Sequence, residues 1–452
     1  MGDAPLKIAV VGAGISGLSA AWLLSRRHNV TLYESQERIG GHSHTVLAST
    51  SAGPIPVDMG FIVYNEPNYP NLVALFKHLN VPTQWSDMSF GVSLDGGGLE
   101  YSSSNMLAQK RNMVRPRFWS MINDLLRFYR EAPGHAAALE ADLTSLGDYL
   151  HQRRYGRAFV NDHLLPQAAA IWSSSAGDIA AFPAASFIRF CENHGLLQVR
   201  GRVEWRTVTG GSTEYVKRLT ADFTGQVRTG RAARQIVRQD RSVIVHDGSG
   251  HSETFDHVVI AAHADEGFKM LADPTVQERA LVGAIGYTRN HAVLHTDDSL
   301  MPRRKSAWSA WNYVDGDRGD GVRQLCVTYW MNRLQNLPME HPLFVTLNPG
   351  REPAPGTLLR SEVYEHPMFD AAATRAQREL WRLQGQGNTW WCGAYFGAGF
   401  HEDGLQSGLA VAEALGGVSR PWTVTNPSAR ICLEPGTSGF TPVAHLALAG
   451  AA

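Results

Sequence analysis

Residues 8–24, IAVVGAGISGLSAAWLL, decide how this chain begins to fold. The short apolar run from Ile8 to Val11 ends at glycines spaced Gly-x-Gly-x-x-Gly, and the apolar residues that follow have helical spacing. A second apolar run, VTLYES at residues 30–35, is typical of another strand. A strand, a helix and a strand within about 30 residues open a doubly wound sheet, so we predict an α/β fold with a Rossmann-like domain.

The three glycines have separate physical roles. Gly12 permits the tight turn after the strand, Gly14 lets the backbone approach a pyrophosphate, and Gly17 allows the helix to pack closely on the sheet. The helix N-terminus supplies N–H donors and the positive end of a dipole. Glu34 ends the second strand, where a carboxylate accepts the ribose hydroxyls and disfavours the 2′-phosphate of NADP. The predicted cofactor site at this end of the chain consists of Gly12, Gly14, Ile15, Ser16, Gly17, Glu34 and Ser35.

A second glycine motif follows in RIGGHSHT, residues 38–45. A simple NAD-binding unit needs no further glycine here, whereas FAD is longer and continues past the pyrophosphate along the protein. Gly40 and Gly41 would let the backbone approach the ribityl-phosphate portion, Arg38 could neutralise phosphate charge, and His42 lies beside them. The motif favours FAD over NAD, although spacing alone leaves open a glycine-rich surface turn.

Composition and charge exclude several classes of function. The net charge of −1 gives no reason to expect nucleic acid as a partner, and four scattered cysteines predict neither a zinc site nor a disulfide framework. The N-terminus lacks a signal-peptide pattern, and no apolar stretch reaches the roughly 18 residues of a membrane span. We expect a soluble cytoplasmic protein, which could still lie on the inner face of the cytoplasmic membrane.

Nucleotide-type segments appear near the start, the middle and the end of the chain, with helical or mixed insertions between them. We predict a discontinuous FAD-binding domain and a mixed α+β substrate-binding domain that interrupts it. The boundaries are 1–75, 201–265 and 386–420 for the first, 76–200 and 266–385 for the second, and 421–452 for a peripheral tail.

These motifs resemble the flavin amine oxidase and phytoene desaturase superfamily, and the resemblance extends to about Gly417. It includes VDMGFIVYN (57–65), TGGSTEYVKRL (209–219), the strand block after residue 231 and WCGAYFGAGFHEDGLQSGL (391–409). The family binds FAD, and the resemblance implies that Gly404 and Leu405 direct backbone N–H groups to flavin O2 and N1. It adds to the predicted cofactor site Asp58, Gly60, Phe61, Ala233, Gly393, Asp403, Gly404 and Leu405. Ala394 departs from the family, which has an acidic residue there.

GFHEDGLQSGL (399–409) and MPRRKSAWSAWNY (301–313) look like a bacterial branch associated with cyclopropane fatty acyl phospholipid synthases. That resemblance implies dehydrogenation of a methyl-branched acyl chain by hydride transfer to flavin N5, as in furan fatty acid biosynthesis. Two other interpretations stay open. One is a flavin amine oxidase that releases hydrogen peroxide, and the other is a non-catalytic FAD-binding partner of a lipid methyltransferase.

Three residues are candidates for catalysis. His401 and Glu402 precede the flavin-facing helix and could act as acid or base, since a histidine exchanges protons near neutral pH. Lys305 could correspond to the lysine of amine oxidases that is bonded through water to flavin N5. Solvated charges in a loop and in a basic cluster are the alternatives. Cys392 raises covalent flavin attachment, but a buried structural thiol is the favoured interpretation.

Residues 105–130 mix basic and large apolar side chains. This pattern suits an interfacial helix on anionic lipid, and its alternative is an amphipathic helix packed on its own core. The residues concerned are Lys110, Arg111, Met113, Arg115, Arg117, Phe118, Trp119 and Met121. We expect a lipid or another hydrophobic substrate, contact with a membrane surface, and a methyltransferase as a candidate partner.

Overall fold

The computed structural model describes residues 4–172, 176–198, 201, 203–315 and 326–434. Its strands are β1 (Lys7–Val11), β2 (Asn29–Tyr33), β3 (Thr45–Thr50), β4 (Gly53–Asp58), β5 (Val63–Asn65), β6 (Thr83–Ser86), β7 (Phe90–Leu94), β8 (Leu99–Ser102), β9 (Trp205–Val208), β10 (Gln226–Arg228), β11 (Ala233–Arg238), β12 (Val243–Asp247), β13 (Ser252–Phe255), β14 (His257–Ile260), β15 (Tyr287–His295), β16 (Trp311–Val314), β17 (Val327–Trp330), β18 (Phe344–Leu347), β19 (Leu358–Pro367) and β20 (Thr389–Trp391).

The helices are α1 (Ile15–Leu24), α2 (Pro70–His78), α3 (Pro116–Asp142), α4 (Leu146–Gln152), α5 (Arg157–Phe159), α6 (Leu165–Trp172), α7 (Ala176–Ala181), α8 (Ala184–Asn193), α9 (Thr213–Ala221), α10 (Ala264–Met270), α11 (Val276–Leu281), α12 (Met331–Leu334), α13 (Ala371–Gln377) and α14 (His401–Gly416). None of these helices, within the residues that the structure describes, is both long and apolar enough to cross a bilayer.

A five-stranded parallel sheet has the order β10-β2-β1-β14-β20. Its strands come from three distant parts of the chain, near the start, the middle and the end. β1 and β14 are almost continuously buried and apolar, as expected for parallel strands covered on both faces. The predicted α/β fold with a Rossmann-like sheet is confirmed.

Helices α1 and α14 pack against each other through small residues. A Cβ on Gly408 would lie 2.2 Å from the Ser16 carbonyl oxygen, and one on Gly404 would lie 2.8 Å from Ser16 Oγ. The two helices therefore touch backbone to backbone. As a result, the N-terminal turn of α14 lies close to the glycine loop that precedes α1.

The second large sheet is mixed and has the order β19-β15-β18-β17-β16-β7-β8. Only the β16–β7 pair among these described strands is parallel. Helices α3 to α8 add a separate core of large aromatic side chains, among them Phe128, Tyr149, Phe159 and Phe187, which are almost fully buried. These four aromatic residues of the inserted segment therefore form core. A smaller three-stranded sheet, β11-β12-β13, contains the predicted run of strands around residues 247–250.

The segment after residue 420 packs on the rest of the protein at several residues as far as Cys432, although most of its side chains are exposed or half-buried. The Trp422 ring stacks on Trp22 with ring centroids 5.9 Å apart, and Ile431 is buried. Arg430 Nε donates to Asp403 Oδ1 at 2.5 Å. This corrects the peripheral character predicted for the tail in residues 421–434, while residues 435–452 lie outside the described residues.

Candidate active site

The first glycine loop leaves space at the N-terminus of α1. Gly12 has a φ of +102°, which favours glycine, and its N–H donates to the Tyr33 carbonyl at 2.8 Å. Gly14 is the N-cap residue of α1, and apart from its chain neighbours no atom lies within 4 Å of where its Cβ would be. The helix end therefore has both free N–H groups and room for a pyrophosphate.

Ile15, Ser16 and Gly17 are buried at the start of this helix. A Cβ on Gly17 would lie 1.8 Å from the Gly12 carbonyl oxygen, and the side chains of Ile15 and Ser16 face Gly404. These side chains serve packing. The part of Ile15 and Ser16 that can reach a cofactor is their backbone N–H.

Glu34 lies at the end of β2 with its side chain turned to the glycine loop. One carboxylate oxygen accepts the Ala13 N–H at 2.9 Å, and the other accepts the Gln36 N–H at 2.9 Å and the Ser35 hydroxyl at 3.1 Å. A carboxylate has about four acceptor positions, so these three donors leave one for a ribose hydroxyl. The Ser35 hydroxyl therefore helps to orient the Glu34 carboxylate.

Ala233 begins β11 and is buried near the same place. The Arg231 N–H donates to the Glu34 carbonyl at 2.8 Å, which holds the segment before Ala233 beside the end of β2. The backbone at Ala233 is therefore on the side of the site where the adenine of a dinucleotide would extend from the ribose.

The second glycine motif packs on the first. Gly40 has a φ of +112° and donates its N–H to the Ala13 carbonyl at 2.8 Å. A Cβ on Gly41 would lie 3.0 Å from Gly14 Cα, so only glycine permits this approach without a shift. Arg38 Nη1 donates to the Gly41 carbonyl at 2.8 Å and stabilises the loop with one of its five donors.

Gly60 and Phe61 lie against this motif. A Cβ on Gly60 would lie 2.1 Å from the His42 carbonyl oxygen, and the Phe61 N–H donates to the same oxygen at 2.8 Å. The Phe61 ring stacks on His401 with centroids 3.8 Å apart. The segment thus connects the second glycine motif to the first turn of α14.

Asp58 does not face this space. Its buried carboxylate accepts the Thr45 hydroxyl at 2.6 Å, the Ser212 N–H at 2.9 Å and Gln335 Nε2 at 2.9 Å. Burial raises the pKa of Asp58 to about 6 despite these donors. The carboxylate joins three distant segments, which corrects the cofactor contact predicted for it.

The first turn of α14 begins three residues before the predicted donors. The N–H groups of Asp403 and Gly404 donate to the Phe400 carbonyl at 3.0 and 3.2 Å. In a helix that begins at His401, the N–H groups without an intrahelical acceptor are those of His401 and Glu402. This corrects the donor role predicted for Gly404 and Leu405, and the Leu405 side chain lies in the core.

Asp403 and Gly393 stabilise the same helix. Asp403 Oδ2 accepts the Phe400 N–H at 2.7 Å, and its other oxygen accepts from Arg430. The Gly393 N–H donates to Ser407 Oγ at 3.0 Å. Both residues therefore hold α14 in position by hydrogen bonds. This corrects the contact with the cofactor that was predicted for them.

Cys392 is buried next to Gly393, and burial raises the pKa of its thiol. A protonated, inaccessible thiol is a poor nucleophile. The structure thus agrees with a structural thiol and gives no support to covalent flavin attachment at this residue.

His401 is enclosed by polar and aromatic side chains. Its Nε2 lies 2.7 Å from the Tyr215 hydroxyl and 3.2 Å from Ser43 Oγ, and those two hydroxyls are 2.5 Å apart. Burial lowers the pKa of His401 to about 3, so the imidazole is neutral near pH 7. The surroundings favour a hydrogen-bonding role for His401 over the proton exchange near neutrality predicted for it.

Glu402 points away from this group. Its fully buried carboxylate accepts the N–H groups of Asn71 and Leu72 at 3.0 and 2.9 Å and the Gln406 side-chain amide at 2.9 Å. These donors place it at the N-terminus of α2, where a negative charge is stabilised. Glu402 therefore has a structural role, which corrects the predicted catalytic one.

Lys305 is exposed in a short 3-10 helix, and its Nζ lies 5.6 Å from the centre of the Trp308 ring. The neighbouring Arg304 pairs with Glu100 at 2.7 Å. The structure does not bring Lys305 together with the residues of the glycine loops or of α14, so it does not supply the lysine of an amine oxidase.

A group of histidine and tyrosine side chains lies beside His42, and the sequence analysis identified only His42 among them. The His44 ring is hydrogen-bonded through Nδ1 to the Tyr364 hydroxyl at 2.8 Å, and His366 Nδ1 accepts from Asn290 Nδ2 at 2.9 Å. The His42 ring centroid lies 5.2 to 6.1 Å from those of Tyr364, His366 and His263. This histidine cluster consists of His42, His44, His263, Tyr287, Asn290, Tyr364 and His366.

The histidine cluster lies where the two large sheets meet. Its members come from the second glycine motif, from the loop after β14 and from the adjacent strands β15 and β19. Two signals could have indicated it. One is the pair of histidines in RIGGHSHT, and the other is Tyr364 and His366, which point to the same face of a strand.

Burial keeps the imidazoles of His42, His44 and His366 neutral. It lowers the pKa of His44 and that of His366 to about 4, and it lowers the pKa of His42 well below its usual value, with nearby His366 adding to the effect. Among the described residues, His42 Nε2 is buried without a hydrogen-bond partner. A water or a polar atom of a bound molecule can satisfy such a nitrogen.

Three side chains at the edge of the histidine cluster could ligate a metal ion. His263, Glu266 and Glu365 each offer one atom, and these atoms lie within 4.8 Å of one another. Arg289 Nε lies 3.4 Å from Glu365 Oε1, so a guanidinium already faces one of these carboxylates.

The residues fit FAD. The acceptor position left on Glu34, the space at Gly14, the free N–H groups at His401 and Glu402 and the unpaired His42 Nε2 belong to segments that touch one another in that order. Together they offer partners for a ribose, a pyrophosphate and a polar ring system, which a shorter dinucleotide would leave partly unused.

Comparisons with known proteins agree with this geometry. The family described as flavin containing amine oxidoreductase matches residues 15–333. A Mycobacterium tuberculosis protein assigned as a flavin-containing monoamine oxidase is 27% identical over 259 residues, which are 54% of each chain. The chain thus spans about half the length of the curated relatives it matches.

Two solved structures share the fold over most of their length. One is assigned as a protoporphyrinogen oxidase from Exiguobacterium sp., with a TM-score of 0.64 and 16% identity over 92% of this chain and 99% of that one. The other is a fatty acid isomerase from P. acnes, with a TM-score of 0.63 and 16% identity over 91% of this chain and 98% of that one.

Proposed function

Because the chain belongs to the family of flavin containing amine oxidoreductases, we propose that it dehydrogenates a methyl-branched fatty acyl chain of a membrane phospholipid. FAD is its cofactor, and its general activity is that of a flavin-dependent oxidoreductase. When bound, FAD supplies the acceptor for the hydride that leaves the substrate carbon. The proposed product is a desaturated acyl chain, as in furan fatty acid formation.

The observation that carries this proposal is a set of exposed apolar side chains in the segment that we predict to belong to the substrate-binding domain. Met113, Val114, Trp119 and Leu126 are 56%, 81%, 51% and 50% exposed, and Leu107 is 39% exposed. All five lie within residues 107–126, and a concentration of exposed apolar side chains in one segment is typical of an interaction site. We call Leu107, Met113, Val114, Trp119 and Leu126 the apolar surface.

Helix α3 has two faces, and only one packs on the protein. Phe118, Met121 and Phe128 are buried, whereas Trp119 and Leu126 lie seven residues apart on the outward face. The Trp119 indole N–H donates to the Met113 carbonyl at 2.9 Å and connects the helix to the loop before it. The inward face agrees with the packed-helix alternative, and the outward face supports the interfacial one.

Basic side chains border the apolar surface. Lys110, Arg111 and Arg117 are exposed, and Arg117 is bonded to Asp162 at 2.7 Å. Near an anionic bilayer Lys110 and Arg111 would each contribute about 1 kcal/mol of binding, whereas the charge of Arg117 is compensated by Asp162, and a tryptophan prefers the headgroup level. An enzyme that acts on an acyl chain must meet its substrate at this kind of surface.

The side chains around His401 provide an uncharged environment near neutral pH. Tyr215 can donate its hydroxyl proton to His401 Nε2 while Ser43 donates to the Tyr215 oxygen. In this arrangement His401 Nε2 is a hydrogen-bond acceptor, and the imidazole stays uncharged. In a desaturation the second hydrogen leaves as a proton. A neutral imidazole, such as that of His42 with its unpaired Nε2, can take it transiently.

Anaerobic mixing of the FAD-loaded protein with vesicles of methyl-branched acyl phospholipid tests the substrate. We expect the flavin absorbance to bleach with this lipid and not with primary amines. Bleaching by amines alone would favour the amine oxidase interpretation. Bleaching by neither would favour a non-catalytic partner of a lipid methyltransferase, and either result contradicts the proposal.

Vesicle sedimentation tests the apolar surface. The wild-type protein should sediment with anionic vesicles, and Trp119→Ser with Leu126→Ser should weaken this binding by about tenfold or more, because burying each apolar side chain contributes 1.5–3 kcal/mol. The control is Val276→Ser, which removes an apolar side chain that is 87% exposed elsewhere. Equal sedimentation of all three proteins would contradict the membrane contact.

A further inference from the structure

Strand β19 is an edge of the seven-stranded sheet. It pairs along its length with β15, and among the described residues no strand pairs with its other side. Its side chains there are unusually apolar for an edge, with Leu358 at 45%, Leu359 at 36% and Val363 at 50% exposure. Such an edge is a template for pairing with another strand.

The register shows which backbone groups are free. The Met368 N–H donates to the Gly286 carbonyl at 2.8 Å, and the same register continues from Pro367 opposite Tyr287 to Arg360 opposite Leu294. At Leu359 the register shifts by one residue, so that Leu358 lies opposite His295. In an antiparallel pair, alternate residues turn both N–H and C=O to the partner. Even-numbered residues therefore bond to β15, whereas Ser361 and Val363 turn their N–H and C=O groups outward.

We propose that β19 pairs antiparallel with β19 of a second copy of this chain, with Ser361 opposite Ser361 of the partner subunit. Outward-pointing groups can bond only if odd-numbered residues oppose odd-numbered ones. The register centred on Ser361 meets this condition. It also places Arg360 opposite Glu362 of the partner subunit, within the part of β19 whose register with β15 is regular.

Neighbouring registers lack this match. Centring on Glu362 would place Glu362 opposite Glu362 of the partner subunit, and centring on Arg360 would place Arg360 opposite Arg360 of the partner subunit, so like charges would face each other. Centring on Val363 would place Arg360 opposite His366 of the partner subunit. Within one chain Arg360 Nη2 already lies 2.6 Å from Glu362 Oε1, with the two side chains 54% and 25% exposed. Across the twofold axis, two arginines and two glutamates would form one network, in which each opposed pair contributes roughly 0.2–1 kcal/mol.

The charges on this edge select a partner. Edge strands are usually protected by charges of one sign, which repel a second copy. Arg360 and Glu362, two residues apart, instead form a pattern that is complementary to itself when the strand direction is reversed. Tyr364 and His366 of the same strand belong to the histidine cluster, so the proposed interface lies next to the candidate active site.

Sedimentation velocity of the FAD-loaded full chain tests the pairing. We expect a dimer for the wild type. In R360E and in E362R we expect the dimer affinity to fall by about tenfold or more, because each substitution places like charges opposite one another. The double variant R360E/E362R should restore the dimer, since each position opposes the other across the axis. R375E, on the exposed face of α13, should leave the dimer unchanged.

Three outcomes would overturn the proposal. They are a monomeric wild type, single variants that dimerise as well as the wild type, and a double variant that stays monomeric although it retains FAD. FAD absorbance, measured for every variant, verifies that each one has folded.

Discussion

At the scale of single residues, Asp58 shows how burial makes a side chain sensitive to pH. Burial raises its pKa from 3.8 to about 6, which corresponds to about 3 kcal/mol. A raised carboxyl pKa contributes stability below the unfolded value, and this contribution is lost as the pH rises through 6. We predict that the wild type loses about 3 kcal/mol of unfolding free energy relative to Asp58→Asn between about pH 4 and pH 7.

Urea unfolding of both proteins over this pH range measures the difference. Asp240→Asn, at an exposed turn, is the control and should follow the wild type at every pH. A difference between the wild type and Asp58→Asn that stays constant with pH would contradict the assignment.

Glu34 carries the prediction for the cofactor. Removing its carboxylate removes the acceptor for the Ala13 N–H as well as the position left for the ribose. Hydrogen bonds to charged groups contribute about 1.5–3 kcal/mol, so Glu34→Ala should weaken FAD binding by about 10-fold to 100-fold. Equilibrium dialysis against free FAD measures this, with the exposed Glu37→Ala as control. Equal retention by both variants would remove the ribose assignment.

Backbone roles could be predicted at this scale, and long-range side-chain roles could not. The spacing of Gly12, Gly14 and Gly17 predicted a loop and helix start whose geometry the structure shows, because those constraints are local. Asp58 and Glu402 looked like site residues, yet their donors lie far away in the sequence. Such partners are decided by how distant segments pack against each other, and no local pattern in a single sequence reveals that packing.

At the scale of elements, helix α14 depends on close contact with α1. A Cβ on Gly408 would lie 2.2 Å from a backbone oxygen, so Gly408→Ala must separate the helices. Overpacking of this kind costs about 1–3 kcal/mol. Gly134 in α3 has nothing within 4 Å of its Cβ position, and Gly134→Ala should stabilise by about 0.5–1 kcal/mol through helix propensity. Thermal unfolding of the two variants should therefore shift in opposite directions, and a shift in the same direction would contradict the contact.

Element types could be predicted better than element ends and neighbours. Periodicity indicated β1, α1, β2 and α14, but the first turn of α14 begins at His401, which moves the free N–H groups away from Gly404 and Leu405. The order of the seven-stranded sheet, in which β16 lies next to β7, depends on contacts between residues more than 200 positions apart. No local pattern specifies them.

At the scale of the whole molecule, segments that are far apart in the sequence together form one site. The parallel sheet takes strands from the start, the middle and the end of the sequence, and the histidine cluster forms where it meets the seven-stranded sheet. Residues 421–434 complete this arrangement, because Arg430 contacts both Asp403 of α14 and the carbonyl of Asn68. The composition of this segment, rich in proline and small residues, gave no sign of this role.

Arg430 carries the prediction at this scale. Its side chain is 12% exposed, and it is bonded to a fully buried Asp403 whose other oxygen caps α14. Arg430→Met would leave the Asp403 charge buried without a counter-ion, which costs about 3–5 kcal/mol. The variant should unfold at a markedly lower temperature and should also retain less FAD, because the first turn of α14 loses its support.

Arg430→Met with Asp403→Asn should recover part of the stability, since no unpaired charge remains, whereas the exposed Arg375→Met should match the wild type. If Arg430→Met unfolds at the same temperature as Arg375→Met, the Arg430–Asp403 pair does not support α14, and the structural role assigned to Arg430 is wrong.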